Sequence, residues 1–112
     1  MLTMEKLTEF GIDPAEGLKR CMNKEEFFFK MIKMSLSNAY FDSLGGLIEA
    51  GDLDEAFEQA HALKGVLGNI AIAPLYEPMA AMTELLRAKK EADYAALYRP
   101  IKELRDRLLA EV

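Results

Sequence analysis

The single histidine of the chain, His61, lies in a stretch whose residue types and spacing could support phosphoryl transfer. Lys64 follows it by three residues and Gly65 by four, so all three lie on one side of a helix. A neutral imidazole nitrogen is a nucleophile in its own right, and a lysine one turn away can hold phosphoryl oxygens by its charge. The arrangement predicts a histidine that is transiently phosphorylated.

Two glycines lie beside the histidine, Gly65 one turn after it and Gly68 about one turn further on. Each costs up to ~1 kcal/mol relative to alanine inside a helix, so some benefit should offset that cost. A side chain at position 65 would cover the surface next to the imidazole. We therefore predict that Gly65 and Gly68 form part of a partner-binding surface. The ordinary alternative is a lone surface histidine with glycines that serve close helix packing.

The segments that position this stretch have helical periodicity almost throughout. Strand-like alternation is missing, and the stripe Phe57, Ala60, Leu63, Leu67 and Ile70 faces inward, which places His61 and Lys64 toward water or a partner. Similar inward stripes are Leu75, Met79, Met82 and Leu86, and then Leu97, Ile101, Leu104 and Leu108. Helices are predicted over residues 1–9, 14–21, 24–36, 39–50, 53–69, from between Pro74 and Pro78 to about Lys90, and 94–111.

Cap and turn residues support these boundaries. The predicted caps are Asp13 before Pro14, Asn23 with Glu26 as a capping box, Asp52 after the helix stop Gly51, and Asp93. Pro100 should kink the last helix or mark its true start. The fold class is all-α: an antiparallel up-down four-helix bundle with one or two short N-terminal helices, forming one domain over residues 1–112.

Composition narrows the classes of function. The net charge of −5, with scattered Lys and Arg, argues against a nucleic-acid partner. No apolar run approaches the ~20 residues that span a bilayer, and the N-terminus has no signal-peptide pattern. One histidine and one cysteine, Cys21, are too few for a recognisable metal site or an internal disulfide. We expect a cytoplasmic monomer without metal or membrane contact; the initial Met1 and the lack of a linker favour a stand-alone protein.

The sequence His61-Ala62-Leu63-Lys64-Gly65, preceded by Gly51-Asp52, resembles the H-x-L-K-G pattern of histidine-containing phosphotransfer (HPt) domains. The resemblance extends over nearly the whole chain. It implies that His61 accepts a phosphoryl group from an aspartyl phosphate on a response-regulator receiver domain and passes it to another receiver domain. It also implies that Lys64 stabilises the phosphoryl oxygens and that Gly65 gives access. Mg²⁺ would belong to the receiver partner, so no cofactor is expected here, and a hybrid sensor kinase is a further candidate partner.

The chain departs from the HPt pattern in one visible place. Many members have a glycine ten residues after the histidine, where this chain has Ala71. Some members also have a glutamine from the neighbouring helix against the imidazole; here Thr83 and Glu84 are the candidates for that contact.

Three hypotheses about function follow from the sequence. The first is a phosphocarrier that is not itself an enzyme, since a nucleotide-binding glycine loop and a Mg²⁺ carboxylate cluster are both missing from the sequence. The alternative is a non-phosphorylated helical adaptor that binds a receiver domain or another signalling protein. A small helical enzyme is a weaker third option, because a single histidine without a matched carboxylate dyad offers little acid–base machinery.

Overall fold

The computed structural model describes all 112 residues and consists of seven α-helices with no strand. The helices are α1 Met4–Glu9, α2 Pro14–Arg20, α3 Glu25–Leu36, α4 Tyr40–Ala50, α5 Leu53–Asn69, α6 Ala73–Arg87 and α7 Tyr94–Glu111. Helix α5 packs against α4 and α6, and α7 closes the arrangement by packing against both α4 and α6. Short connections make successive helices antiparallel. The all-α class and the four-helix bundle are confirmed.

The first three helices lie beside this bundle. Helix α3 packs on α7, and α2 contacts both α1 and α3. Gly17 is buried in α2, and a Cβ there would lie 2.5 Å from a ring carbon of Phe28 and 2.9 Å from the carbonyl oxygen of Ile70. The missing side chain therefore lets the backbone of α2 lie directly on α3 and on the connection between α5 and α6. Two short N-terminal helices, α1 and α2, are present as predicted, and α3 is a longer one.

Side-chain caps begin three of the helices where the sequence predicts them. Asp13 accepts from the backbone N–H of Ala15 and of Glu16, Asp52 from that of Glu55, and Asp93 from that of Ala96. Gly51 ends α4 in the left-handed conformation with φ 75°, which costs glycine little. These contacts fix both ends of the short turn that leads into α5.

The capping box predicted at Asn23 is wrong. Asn23 has φ 57°, whereas an N-cap residue adopts extended backbone, and its own N–H donates to the carbonyl of Leu18 at 2.8 Å. Lys24 occupies the N-cap position of α3 and makes no side-chain cap. Asn23 thus closes the turn after α2, because asparagine tolerates the left-handed region better than most residues.

The predicted bounds of α6 and the predicted role of Pro100 also require corrections. Helix α6 begins at Ala73, one residue before the predicted range, because Pro74 fits the first helical turn, where its missing N–H is not needed. The helix ends at Arg87 rather than near Lys90. Pro100 does not mark the start of α7, since the cap from Asp93 begins that helix at Tyr94. No helix is both long enough and apolar enough to span a bilayer.

The core follows the predicted stripes closely in α6 and α5 and less closely in α7. The α6 stripe is completely buried, and in α5 only Phe57 is partly exposed. In α7, Ile101 and Leu108 are buried and Leu104 is partly buried, but Leu97 is 38% exposed. Arg105, which is 4% exposed, occupies a core position instead. The inward face of α7 therefore contains a buried charge that the predicted stripe did not include.

Arg105 is buried with partners on two other elements. Its Nη1 donates to the carbonyl of Leu36 at 3.0 Å, and its Nη2 donates to Oδ1 of Asp42 at 2.6 Å. The guanidinium also lies over the ring of Phe41, 5.0 Å from the centroid. These contacts compensate the desolvation of the charge and connect α7 to α4 and to the end of α3.

Candidate functional site

The imidazole of His61 projects from the middle of α5 into solvent. His61 is exposed, and its ring stacks on that of Phe57, one turn earlier, with the centroids 5.6 Å apart and the ring planes 20° apart. Neither ring nitrogen takes part in a hydrogen bond or ion pair within the chain. The stacking restrains the ring while the nitrogens remain free to react.

Lys64 lies one turn after His61 and reaches toward α6. Its Nζ lies 3.9 Å from Oε1 of Glu84, while Oε2 of Glu84 lies 3.3 Å from Nε of Arg87. The guanidinium of Arg87 lies 4.9 Å from the centroid of the Phe57 ring, on which His61 stacks. We call the group formed by Phe57, His61, Lys64, Glu84 and Arg87 the His61 cluster. It holds two cations and one carboxylate, so its charge favours the addition of an anion to the imidazole.

Gly65 lies in open space beside this cluster. A Cβ built on it would have no neighbouring heavy atom within 4 Å, apart from its own helix backbone and sequence neighbours. Internal packing therefore does not require a glycine here. This supports the prediction that the absence of a side chain serves a partner rather than the fold.

Gly68 has an internal explanation. A Cβ on Gly68 would lie 3.2 Å from Cε2 of Tyr76, so the Tyr76 ring would have to shift by a few tenths of an ångström to admit a side chain. The carbonyl of Gly68 also accepts a hydrogen bond from Nη1 of Arg20 at 3.0 Å. The ordinary alternative of close packing thus accounts for this glycine. Its part in partner binding stays a prediction.

An open groove of about 640 Å³ extends from His61 along α5. Its walls come from α5 on one side and from α2 on the other, and we call it the α2–α5 groove. Its lining is His61, Lys64, Gly65, Gly68 and Asn69 of α5; Asp13, Glu16 and Arg20 at α2; and Gly11, Ala71, Ala73 and Tyr76 nearby. The contribution of α2 has no local sequence signal, because Arg20 and Gly68 are 48 residues apart.

Neither of the two residues predicted to contact the imidazole forms a hydrogen bond with it. Thr83 is buried, and its hydroxyl donates to the carbonyl of Met79 at 2.7 Å within its own helix. Glu84 pairs with Lys64 and Arg87 rather than with the ring. Arg87 was not among the predicted site residues, although it lies one turn after Thr83 on the same helix.

Ala71, at the position where many HPt domains have glycine, has a left-handed backbone with φ 55°. It lies just after α5, which ends at Asn69 as predicted. The fold therefore uses the same backbone conformation that glycine adopts most easily, and accepts the cost of a side chain there.

Other reactive groups are placed differently. Cys21 is buried, and that burial raises the pKa of its thiol, which makes the reactive thiolate less accessible. No group of three or more His, Cys, Asp or Glu side chains is arranged to hold a metal ion.

Comparison with known proteins agrees with this geometry. The sequence profile of the Hpt domain matches residues 34–111, which contain all of the four-helix bundle and the histidine helix. Neither the curated proteins nor the solved structures give a significant match. Since the matched residues make up well over half of the chain, the chain belongs to the Hpt domain family, whose members are phosphocarriers of two-component signalling.

Proposed function

We propose that this chain is the histidine phosphotransfer protein of a multistep phosphorelay. It accepts a phosphoryl group on His61 from the aspartyl phosphate of one receiver domain and passes it to another. The observation that carries the proposal is the state of the imidazole, which is exposed and without an internal hydrogen bond, on a helix matched by the Hpt profile.

The proposed reaction exchanges one phosphorus bond for another. One ring nitrogen of His61 attacks the phosphorus of the aspartyl phosphate while the other nitrogen carries the proton. The new N–P bond forms as the P–O bond to the aspartate breaks, and the electron pair leaves with the carboxylate. The ring proton can then pass to water, because the ring has no acceptor within the chain. Transfer to the second receiver reverses these steps.

The His61 cluster assigns supporting roles to its other members. Lys64, whose Nζ lies 3.9 Å from Glu84, holds the phosphoryl oxygens once they arrive and exchanges this weak ion pair for a stronger one. The ring of Phe57 keeps the imidazole oriented through the stack. Mg²⁺ and the rest of the catalytic machinery come from the receiver domain.

The alternative is an adaptor that binds a receiver domain without carrying phosphate. An adaptor has no need for a lysine next to an unpaired imidazole, nor for a glycine at position 65 that internal packing does not require. These features favour the carrier over the adaptor.

The test is transfer from a phosphorylated receiver domain to the purified chain. The wild type should acquire acid-labile phosphate, whereas His61→Gln should acquire none and keep its helix content and melting temperature, since His61 is exposed. Glu58→Gln, an exposed substitution on the same helix, serves as the matched control and should be labelled normally. Full labelling of His61→Gln would contradict the proposal. Receiver binding without labelling of the wild type, across a panel of receivers from the same cell, would favour the adaptor.

A further inference from the structure

Helix α2 lies outside the residues that the Hpt profile matches, 34–111, and yet it forms one wall of the α2–α5 groove that contains His61. The close packing at Gly17 fixes this wall against α3 and the connection after α5. The surface beside the phosphoacceptor is therefore built from the common bundle and from a segment outside the matched range.

The cation of this wall is Arg20, which is held in place by two contacts but keeps free hydrogen-bond donors. Its Nε contacts Oε1 of Glu16 at 3.2 Å, and its Nη1 donates to the carbonyl of Gly68 at 3.0 Å. A guanidinium has five N–H donors, so several remain free, and the side chain is 47% exposed. Arg20 therefore presents an oriented, charged donor set to the groove.

Arg20 is anchored about two helical turns away from His61. Its anchor, Gly68, is seven residues after His61, which is about 10 Å along a helix at 1.5 Å per residue. Lys64, one turn away from His61, is therefore closer to a phosphoryl group on the imidazole than a guanidinium held at Gly68 is. The position suits contact with the body of a partner docked over His61.

We propose that Arg20 is a docking residue for the receiver domain and binds a carboxylate of that domain, a proposal that rests on the function given above. The receiver domain is the expected partner because the groove is continuous with His61, which must meet the aspartyl phosphate. The group that Arg20 binds on the partner is expected to be a carboxylate, because a planar guanidinium with free donors binds a carboxylate through paired hydrogen bonds. Glu16, which pairs with Arg20, weakens this contact in the free chain.

The experiment measures KM and kcat for transfer from a phosphorylated receiver, together with labelling by phosphoramidate, a small donor that needs no docking surface. Arg20→Gln should raise KM roughly tenfold and reduce the salt dependence of transfer, with kcat unchanged. Arg20→Lys should recover part of the loss, and Glu16→Gln should lower KM. The matched control is Lys19→Gln, which removes the same charge from the next residue, outside the groove, and should leave KM unchanged.

Each outcome can be assigned. If phosphoramidate labels His61 but KM is the same for Arg20→Gln and the wild type, the docking role is wrong and the proposed function stands. If kcat falls while KM is unchanged, or if only the melting temperature falls, Arg20 acts through the fold and the docking role is again wrong. If neither donor labels the wild type, the proposed function itself fails.

Discussion

Gly65 offers a test in which stability and transfer should change in opposite directions. Gly65→Gln replaces the poorest ordinary helix former with a good one, and a Cβ at this position meets no atom within 4 Å. The substitution should therefore raise the free energy of unfolding by about 0.5–1 kcal/mol. For a domain of this size, this corresponds to a rise in melting temperature of roughly 3–5 °C.

Transfer should be impaired by the same substitution. The new side chain would lie over the surface next to the imidazole, one turn from His61, where the receiver domain must approach. A displacement of about 1 Å between the reacting atoms can cost about 10²-fold in rate, so we expect kcat/KM to fall by at least roughly tenfold. The loss of label from the receiver, followed in quenched time points, measures kcat/KM directly. Thermal unfolding by circular dichroism measures the gain in melting temperature.

Gly46 provides the matched control, because it is also exposed, lies within α4, and would place a Cβ in open space. Gly46→Gln should stabilise the chain by the same amount and leave transfer unchanged, since this residue is not part of the α2–α5 groove. If Gly65→Gln transferred phosphate as fast as Gly46→Gln, the access argument would be refuted. If Gly65→Gln were less stable than the wild type, the open space beside position 65 would be refuted.

Two further predictions concern charged residues. Lys64→Ala should slow transfer roughly ten- to hundredfold and hardly change the melting temperature, because its ion pair is long and its Glu84 partner is exposed. Lys89→Ala, which loses a surface pair with Asp54, is the control that should transfer normally. Desolvation alone would raise the pKa of Asp42, but the hydrogen bond from Lys102 and the charge of Arg105 hold it below the ordinary value. Asp42 therefore stabilises the fold above about pH 4, and that contribution is lost as the pH falls through the folded pKa. Asp42→Asn should cost about 1 kcal/mol at pH 7 and reduce the loss of stability on acidification, as urea unfolding across pH would show; an unchanged acid profile would contradict this.

The elements that could be predicted from the sequence are those fixed by short-range rules. The helix over residues 53–69 begins at a side-chain cap and faces inward through a regular stripe, and both features are visible locally. His61, Lys64 and Gly65 could be placed together for the same reason, since one helix brings them together. The pattern is also the one that the Hpt family shares.

The features that could not be predicted depend on contacts between distant segments. The burial of Arg105 depends on the carbonyl of Leu36, which is 69 residues away, although positions 101 and 108 place Arg105 on the inward side of α7. The wall formed by α2 depends on the missing side chain of Gly17, which meets Phe28 and Ile70 only in the folded chain. Arg87 joins the His61 cluster through Glu84 and Phe57, which the sequence alone does not bring together.

The exposure of the imidazole has a consequence for the lifetime of the proposed signal. A phosphoramidate bond on His61 would be open to water as well as to the receiver, because the imidazole is exposed and Lys64 would contact only the phosphoryl oxygens. The carrier would then lose its cargo at close to the intrinsic hydrolysis rate of phosphohistidine between encounters. The concentration of receiver domains, rather than any protection by the bundle, would set the fraction of phosphoryl groups that is transferred before hydrolysis.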